Sequence, residues 1–396
     1  MMNEDPVVII GASRTPMGSF GGDFAELSAS ELGSAAISDS ISKAGIKAGD
    51  VDDVIMGLVL AAGQGQAPAR QASIGAGIPK AVGATTINKM CGSGMKAAMI
   101  AHDNILAGTH CIMVAGGMES MTNAPYLLPK ARSGMRMGHD QVMDHMFLDG
   151  LEDAYDKGTL MGVYAENTAE AYQFTREAQD DFAITSLERA LKASQDGSFD
   201  DEIVPVTVKT VKGKTVVQHD QQPRNANPEK IPELRPAFRE GGSVTAANSS
   251  SISDGAAALI LIRRSEAEKK GLTPLAAIHA HATHAQDPEW FSTAPIEAVN
   301  KVLAKSGWKK EEVDLFEVNE AFAVVTMAAM RDLGLSHDKV NIHGGACALG
   351  HPVGASGARI VVTLLNALQK YDLSKGVASL CIGGGEATAL AIERLH

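Results

Sequence analysis

Cysteine is scarce in this sequence, with four among 396 residues. That is too few for a disulfide scaffold, and in a chain of this size thiols are read as buried or chemically active. Basic blocks are missing as well. Lys and Arg total 35 against 47 Asp and Glu, a formal charge of −12, and no run is long enough to form a phosphate-binding arm. This argues against a nucleic-acid partner. No apolar run approaches the ~20 residues that span a membrane; the longest surrounds Ala256 to Ile262. Met1 to Pro6 holds Glu4 and Asp5 and no basic n-region, and Glu393 to His396 is not a peroxisomal or endoplasmic-reticulum address. The expectation is a soluble cytoplasmic protein with no membrane association.

What is present points to a packed globular protein. Hydrophobic residues are 45% and charged residues 21%, the balance of a globular protein, and the length suits two to three domains. Glycine is over-represented, 40 of 396 residues, or about 10% against a usual ~7%. Some part of the fold needs backbone without side chains.

Short apolar runs alternate with amphipathic stretches. Val7 to Ile10, Val51 to Met56 and Cys111 to Ala115 read as buried strands, and Ser28 with Glu31 reads as a capping box before a helix to Lys43. Strands separated by helices predict a mostly parallel sheet with helices on its faces. The order then repeats. Gly45–Met56 resembles Gly307–Val318, which sets Gly57 opposite Asn319, and Val114–Glu119 resembles Cys381–Glu386. Each half also has a small-residue turn opening a helix, Gly92-Ser93-Gly94 in one and Gly354-Ala-Ser-Gly357 in the other. This predicts a duplicated α/β unit. Residues 1–118 form the first half, completed by 251–270; residues 119–250 are an inserted domain; residues 271–396 form the second half. The insertion carries five of the seventeen methionines between Met121 and Met146, a Pro-rich segment from Pro223 to Pro236, and one clear helix, Glu177 to Ser194.

Four motifs carry chemistry. In Asn88-Lys-Met-Cys91-Gly-Ser-Gly94, a strand runs into a cysteine at a helix start, where free N–H groups favour the thiolate. In Gly350-His351-Pro, an imidazole on a loop before a helix suits a general base. His343, Cys347 and His351 are spaced four apart and could hold a metal on one helical face, but the five glycines and the proline around them oppose two helical turns. In Cys381-Ile-Gly383-Gly-Gly385, a second thiol meets glycines whose N–H groups could form an oxyanion hole. In Val318-Asn319-Glu320, the polar pair reads on its own as a helix cap. Two thiols and one imidazole without a metal motif point to acyl transfer through a thioester.

Together with Arg14-Thr-Pro16, Asn319-Glu-Ala-Phe and Gly350-His-Pro, these motifs resemble the thiolase family over essentially the whole chain. The resemblance implies two similar halves packed as a five-layer αβαβα core, with a loop domain inserted in the first. It implies Cys91 as the acylated nucleophile, His351 as its proton acceptor, and Cys381 as the acid/base that removes a proton from a second acetyl-CoA. Acetoacetyl-CoA and CoA would be the products, and thiolysis the reverse reaction. Asn319 would fix a water that forms one oxyanion hole with His351, and the N–H groups of Cys91 and Gly383 would form the other. Coenzyme A would lie on the loop domain near Met161, Arg224, Phe238 and Ser250, with Phe291 at the acyl pocket. CoA thioesters are substrates, and no separate cofactor or metal is implied. A homodimer or homotetramer is implied, with Met121 to Met146 as a candidate contact. Leu160 stands where short-chain members often carry His, and Phe291 where many carry Met, so the acyl chain length is left open. A degradative 3-ketoacyl-CoA thiolase and a non-catalytic acyl-CoA-binding protein are the alternatives.

Overall fold

The computed structural model describes residues 5–210 and 213–395. Residues 1–4 and His396, on which the leader and address readings partly rest, lie outside the described residues.

The first half supplies strands β1 (Val7–Arg14), β2 (Asp53–Gly57), β3 (Gly83–Ile87), β4 (Ile112–Ser120) and β5 (Ser253–Arg263). The second supplies β6 (Ala276–Ala285), β7 (Leu315–Val318), β8 (Lys375–Ile382) and β9 (Glu386–Arg394). They form one mixed sheet in the order β7-β8-β9-β6-β1-β5-β4-β2-β3. The halves meet where β1 pairs antiparallel with β6, at Val8 opposite Ala277 and Ile9 opposite Ala276. Outward from that seam the two sides run alike. β5 answers β9, β4 answers β8, and β2 answers β7, with parallel pairs at β2–β4 and β7–β8. The bridge from Phe316 to Val340 stands where β3 pairs with β2. The mostly parallel sheet expected from alternation is corrected here. β5 and β9 each turn back against their neighbours, so most ladders near the seam are antiparallel.

Helices α1 (Ala29–Lys43) and α2 (Pro68–Gly75) cover the outer face of the first side. Between the two sides lie α3 (Ser93–Leu106) and, later in the chain, the helix Val353–Lys370. The predicted capping box at α1 is formed: Ser28 accepts from Glu31 N–H, and Glu31 accepts from Ser28 N–H. The Val353–Lys370 helix is buried from Val353 through Leu368, because it faces sheet on both sides. One apolar cluster joins α3 and this helix to strands of both halves, and two further clusters seal the outer faces. These are the five layers of the αβαβα architecture.

Glycine sets the depth of the central layer. A Cβ at Gly94 would lie 2.7 Å from the backbone N of Ala358, and one at Gly357 would lie 2.5 Å from that of Met95. The two central helices touch backbone to backbone, which no other residue permits.

The segment between β4 and β5 carries α4 (Met161–Ala171), α5 (Arg176–Gln195) and α6 (Gln221–Asn225). α5 buries Phe182 and Leu187, as its spacing predicts. Arg14, fully buried, bonds Glu202 at 2.5 Å and Asp220 at 2.7 Å. The motif Arg14-Thr-Pro16 thus fastens this segment to β1. Removing one partner of such a set would strand buried charge. In the second half, α7 (Ala294–Ser306) and α8 (Ala323–Leu333) cover the outer face, and α9 denotes Val353–Lys370.

Candidate active site

Cys91 lies in the turn between β3 and α3, just before the N-cap Gly92. Met90, the residue before it, holds a left-handed backbone at φ 48°, an uncommon conformation for a side-chain-bearing residue. The turn is closed by Ser93, whose Oγ accepts from Lys89 N–H and donates to Met90 O. Two backbone N–H groups reach the Cys91 sulfur, its own and that of Gly383. Both are the N–H groups that the family resemblance assigns to an oxyanion hole.

The resting state of the thiol differs from the sequence expectation. Burial pushes the Cys91 pKa up to about 11, with Glu119 adding to the rise, and this outweighs the two N–H groups. Cys91 is a neutral thiol at neutral pH, not a thiolate stabilised by a helix start. Cys381, fully buried at the end of β8, is raised further by desolvation and by the nearby Cys91. The effect of Cys91 on Cys381 places the two sulfurs in one electrostatic neighbourhood, with neither charged.

His351 lies just before α9. Its backbone N–H donates to Ser251 O, and its Nδ1 meets Ser356 Oγ at 2.5 Å. Ser356 spends its single hydroxyl proton on Pro352 O, at 3.0 Å. It therefore accepts from Nδ1–H, which leaves the lone pair on Nε2. Among the described residues that Nε2 is buried without a hydrogen-bond partner. Burial, then the Arg359 charge, pushes the imidazole down to about 3. His351 is a neutral base with a fixed tautomer. Cys91 and Ile252 pack against one apolar cluster that includes Val353, the first residue of α9, two positions after His351. Ser356 was missed in the sequence, although a hydroxyl five residues past a loop histidine at a helix start was there to find.

Asn319 caps nothing. α8 begins at Ala323 behind Phe322, with no side-chain cap. Instead Asn319 is buried, its Nδ2 3.5 Å from His351 Nδ1 and its Oδ1 facing Arg359 at 3.4 Å. Glu320 also points inward, accepting from Ser186, Asn341 and the Cys347 N–H. The cap reading of this pair is corrected: both side chains hold the loop beneath His351.

Met161, Phe238 and Phe291 gather with Cys381, Tyr164 and Phe322 in one apolar cluster. Phe291 is almost fully buried there. A Cβ at Gly383 would sit 3.6 Å from the Met161 sulfur, so this wall adjoins the N–H pair at Cys91. Leu160 is the N-cap of α4 and contributes no side-chain cap. Ser250 ties the loop segment to the Asn319 loop through Ser250 N–H to Ala321 O. A groove of about 360 Å³ opens beside α6, lined by Gln222, Asn225, Lys230, Leu187, Ala247 and Ser251 among others. Arg224, on α6, is not an unpaired cation. It bonds Asp23 at 2.9 Å and the Asp220 carbonyl at 3.1 Å, and is half-exposed.

His343, Cys347 and His351 do not share a helical face, since the only helix there is the single turn Ala346–Leu349. His343 bonds Tyr371, the Cys347 sulfur approaches Glu320 O, and His351 bonds Ser356.

The comparisons agree with this geometry along the whole chain. The family model for the thiolase N-terminal domain matches residues 7–265, and that for the thiolase C-terminal domain matches 272–394. An acetyl-CoA acetyltransferase of Cupriavidus necator is 48% identical over 98% of this chain and 99% of its own. Acetyl-CoA acetyltransferase 2 of Arabidopsis thaliana is 50% identical over 100% and 98%. Among solved structures, the Bacillus anthracis acetyl-CoA acetyltransferase superposes with a TM-score of 0.96 at 41% identity, covering 99% of both chains. The Acat5 thiolase of Ascaris suum, solved with coenzyme A, gives 0.93 at 42%, covering 98% of this chain and 100% of that one. With its duplicated halves, its thiols Cys91 and Cys381 and this end-to-end likeness, the chain belongs to the thiolase family.

Proposed function

We propose that the chain is an acetyl-CoA C-acetyltransferase, which condenses two acetyl-CoA into acetoacetyl-CoA and CoA and runs thiolysis in reverse. The observation that carries the reading is the convergence of the Cys91 and Gly383 N–H groups on the Cys91 sulfur, with Cys381 as its electrostatic neighbour.

Because both thiols rest neutral, the proton accounting is constrained. His351 Nε2 takes the Cys91 proton as the sulfur attacks the first thioester. The tetrahedral oxyanion is met by preorganised donors in a dry site. CoA leaves as a thiolate and takes the Cys381 proton. The Cys381 thiolate then removes a proton from the methyl carbon of the second acetyl-CoA. The resulting carbanion attacks the acetyl group on Cys91, and the Cys91 sulfur leaves and recovers its proton from His351. His351 returns the Cys91 proton, and the proton that Cys381 gives to CoA is replaced by the one it takes from the methyl carbon, so the enzyme ends as it began and no metal is required. Asn319, with Arg359 behind it, holds the second oxyanion site beside His351.

The groove at α6 is the proposed seat of the coenzyme A chain, with Met161, Phe238 and Ser250 toward the acyl end. Arg224 would meet the nucleotide only by loosening its bond to Asp23. The buried Phe291 closes the acyl pocket, which favours short chains over the broader 3-ketoacyl-CoA range. Comparing kcat/KM for acetoacetyl-CoA and 3-ketohexanoyl-CoA tests this. A strong preference for the four-carbon substrate is expected, and equal values would overturn the short-chain reading.

A homodimer or homotetramer and a cytoplasmic location complete the proposal. Tyr126, Leu128, Met135, Met137 and Val142 are all exposed on the Met-rich segment. Deleting its tip should lower the mass seen by light scattering; an unchanged mass would remove this segment as the contact.

A further inference from the structure

We propose that His102, Asp103 and His281 form a binding site for a divalent transition metal of the zinc type, which clips the two halves together at the far end of the central layer. This departs from the sequence expectation of no metal, and it concerns a structural site, not the reacting centre. His102 and Asp103 come from the last turns of α3, in the first half. His281 comes from β6, in the second. Along α3 the site lies about 15 Å from the end that carries Cys91, at ~1.5 Å per residue.

The donor set suits the ion. His102 Nδ1, His281 Nε2 and an Asp103 carboxylate oxygen lie within 4.8 Å of one another. Both imidazole nitrogens address the same oxygen, at 3.0 and 2.9 Å. In a tetrahedral zinc site with bonds of about 2.0–2.1 Å, neighbouring ligand atoms are roughly 3.3 Å apart. The two nitrogen–oxygen pairs therefore need to part by only a few tenths of an ångström, and the two nitrogens already lie within 4.8 Å of each other. The rings stand edge to face, at 89° and 5.1 Å, so their nitrogens approach from two directions. Two imidazoles and one carboxylate leave a position for water, and Asp103 is exposed enough to admit it.

His102 is buried and half of its setting is prepared. A groove of about 340 Å³ leads to it, lined by Leu106, His279 and Glu393. His279 and Glu393 form their own pair at 2.6 Å on the same two strands, β6 and β9. The strand bulges between Ile278 and Ala280, where His279 sits. Such a bulge re-aims side chains next to sites. Metal entry asks each ring only to exchange its tautomer, because the protons now shared with Asp103 move to the opposite nitrogens.

The test uses tag-free protein with its reactive thiols alkylated by iodoacetamide, titrated with Co²⁺ and with Zn²⁺. One equivalent is expected to bind, with Co²⁺ giving visible d–d bands and no thiolate charge-transfer band. Asp103→Asn, at an exposed position, and His281→Ala should each weaken binding at least ~100-fold. Acetyl transfer by the unalkylated variants should be unchanged. Wild-type protein that takes up no metal at micromolar concentration would overturn the proposal. So would variants that bind as tightly as wild type, since the metal would then sit elsewhere.

Discussion

The two central helices start alike and are preceded by different chemistry. α3 follows a turn that presents Cys91, and α9 follows a turn that presents His351. Each helix is let into the other by a glycine, Gly94 and Gly357. The duplication therefore provides one scaffold position twice. The first half places a nucleophile there and the second a base. The end of β4 and the start of β9 differ in the same way. Glu119 is buried and accepts three backbone N–H groups, from Val59, Leu60 and Gly354. Its counterpart Glu386 is half-buried and pairs with Lys89 beside Cys91. Shared backbone geometry and divergent side chains let one pseudo-symmetric seam hold a proton donor and a proton acceptor at adjacent points.

If the two helix starts differ in chemistry, breaking the base should be severe. His351→Gln should lower kcat by about 10²–10⁴-fold while the protein stays folded, read by steady-state kinetics beside circular dichroism. Ser356→Ala keeps the imidazole and frees its tautomer. A smaller loss is expected, about 10-fold, with an altered pH profile of kcat; a purely structural role for Ser356 would leave that profile in place.

If the helix starts share their packing, the two glycines should respond equally. Gly94→Ala and Gly357→Ala each force a Cβ onto backbone of the facing helix, and each should remove about 1–3 kcal/mol of stability, the range for overpacking. Urea unfolding measures this, and a clear inequality would break the equivalence of the two positions.

The smallest effect concerns pH. Burial holds His343 at about 4, below its ordinary value of 6.5. The unfolded chain binds its proton first, so stability is present above pH 6.5 and is lost as pH falls toward 4. His343→Gln should flatten the urea midpoint between pH 6.5 and 4.5, and an unchanged slope would assign the acid lability to other groups.

Much of this was legible in the sequence, for identifiable reasons. The repeat was visible because β2 and β7, and β4 and β8, keep the same apolar and glycine spacing. Cys91, His351 and Cys381 stood out because glycine marks their turns. Asn319 read as a cap on local pattern and entered the site only through the family resemblance, because a polar pair after a strand looks the same whether it caps a helix or turns inward. Only the burial of Arg359 and Glu320 tells the two apart. The thiol protonation was misread because the helix start is legible and the desolvation around it is not. The pairing of Arg224 with Asp23 was not legible, because the two lie far apart in the chain.

The central claim is that the two sulfurs have separate tasks, and acetyl transfer from radiolabelled acetyl-CoA tests it most directly. Cys91→Ala should take up no label and lose activity by about 10⁴-fold or more. Cys381→Ala should become labelled yet fail to form acetoacetyl-CoA. Labelling of Cys91→Ala at the wild-type rate, or condensation by Cys381→Ala, would contradict the account.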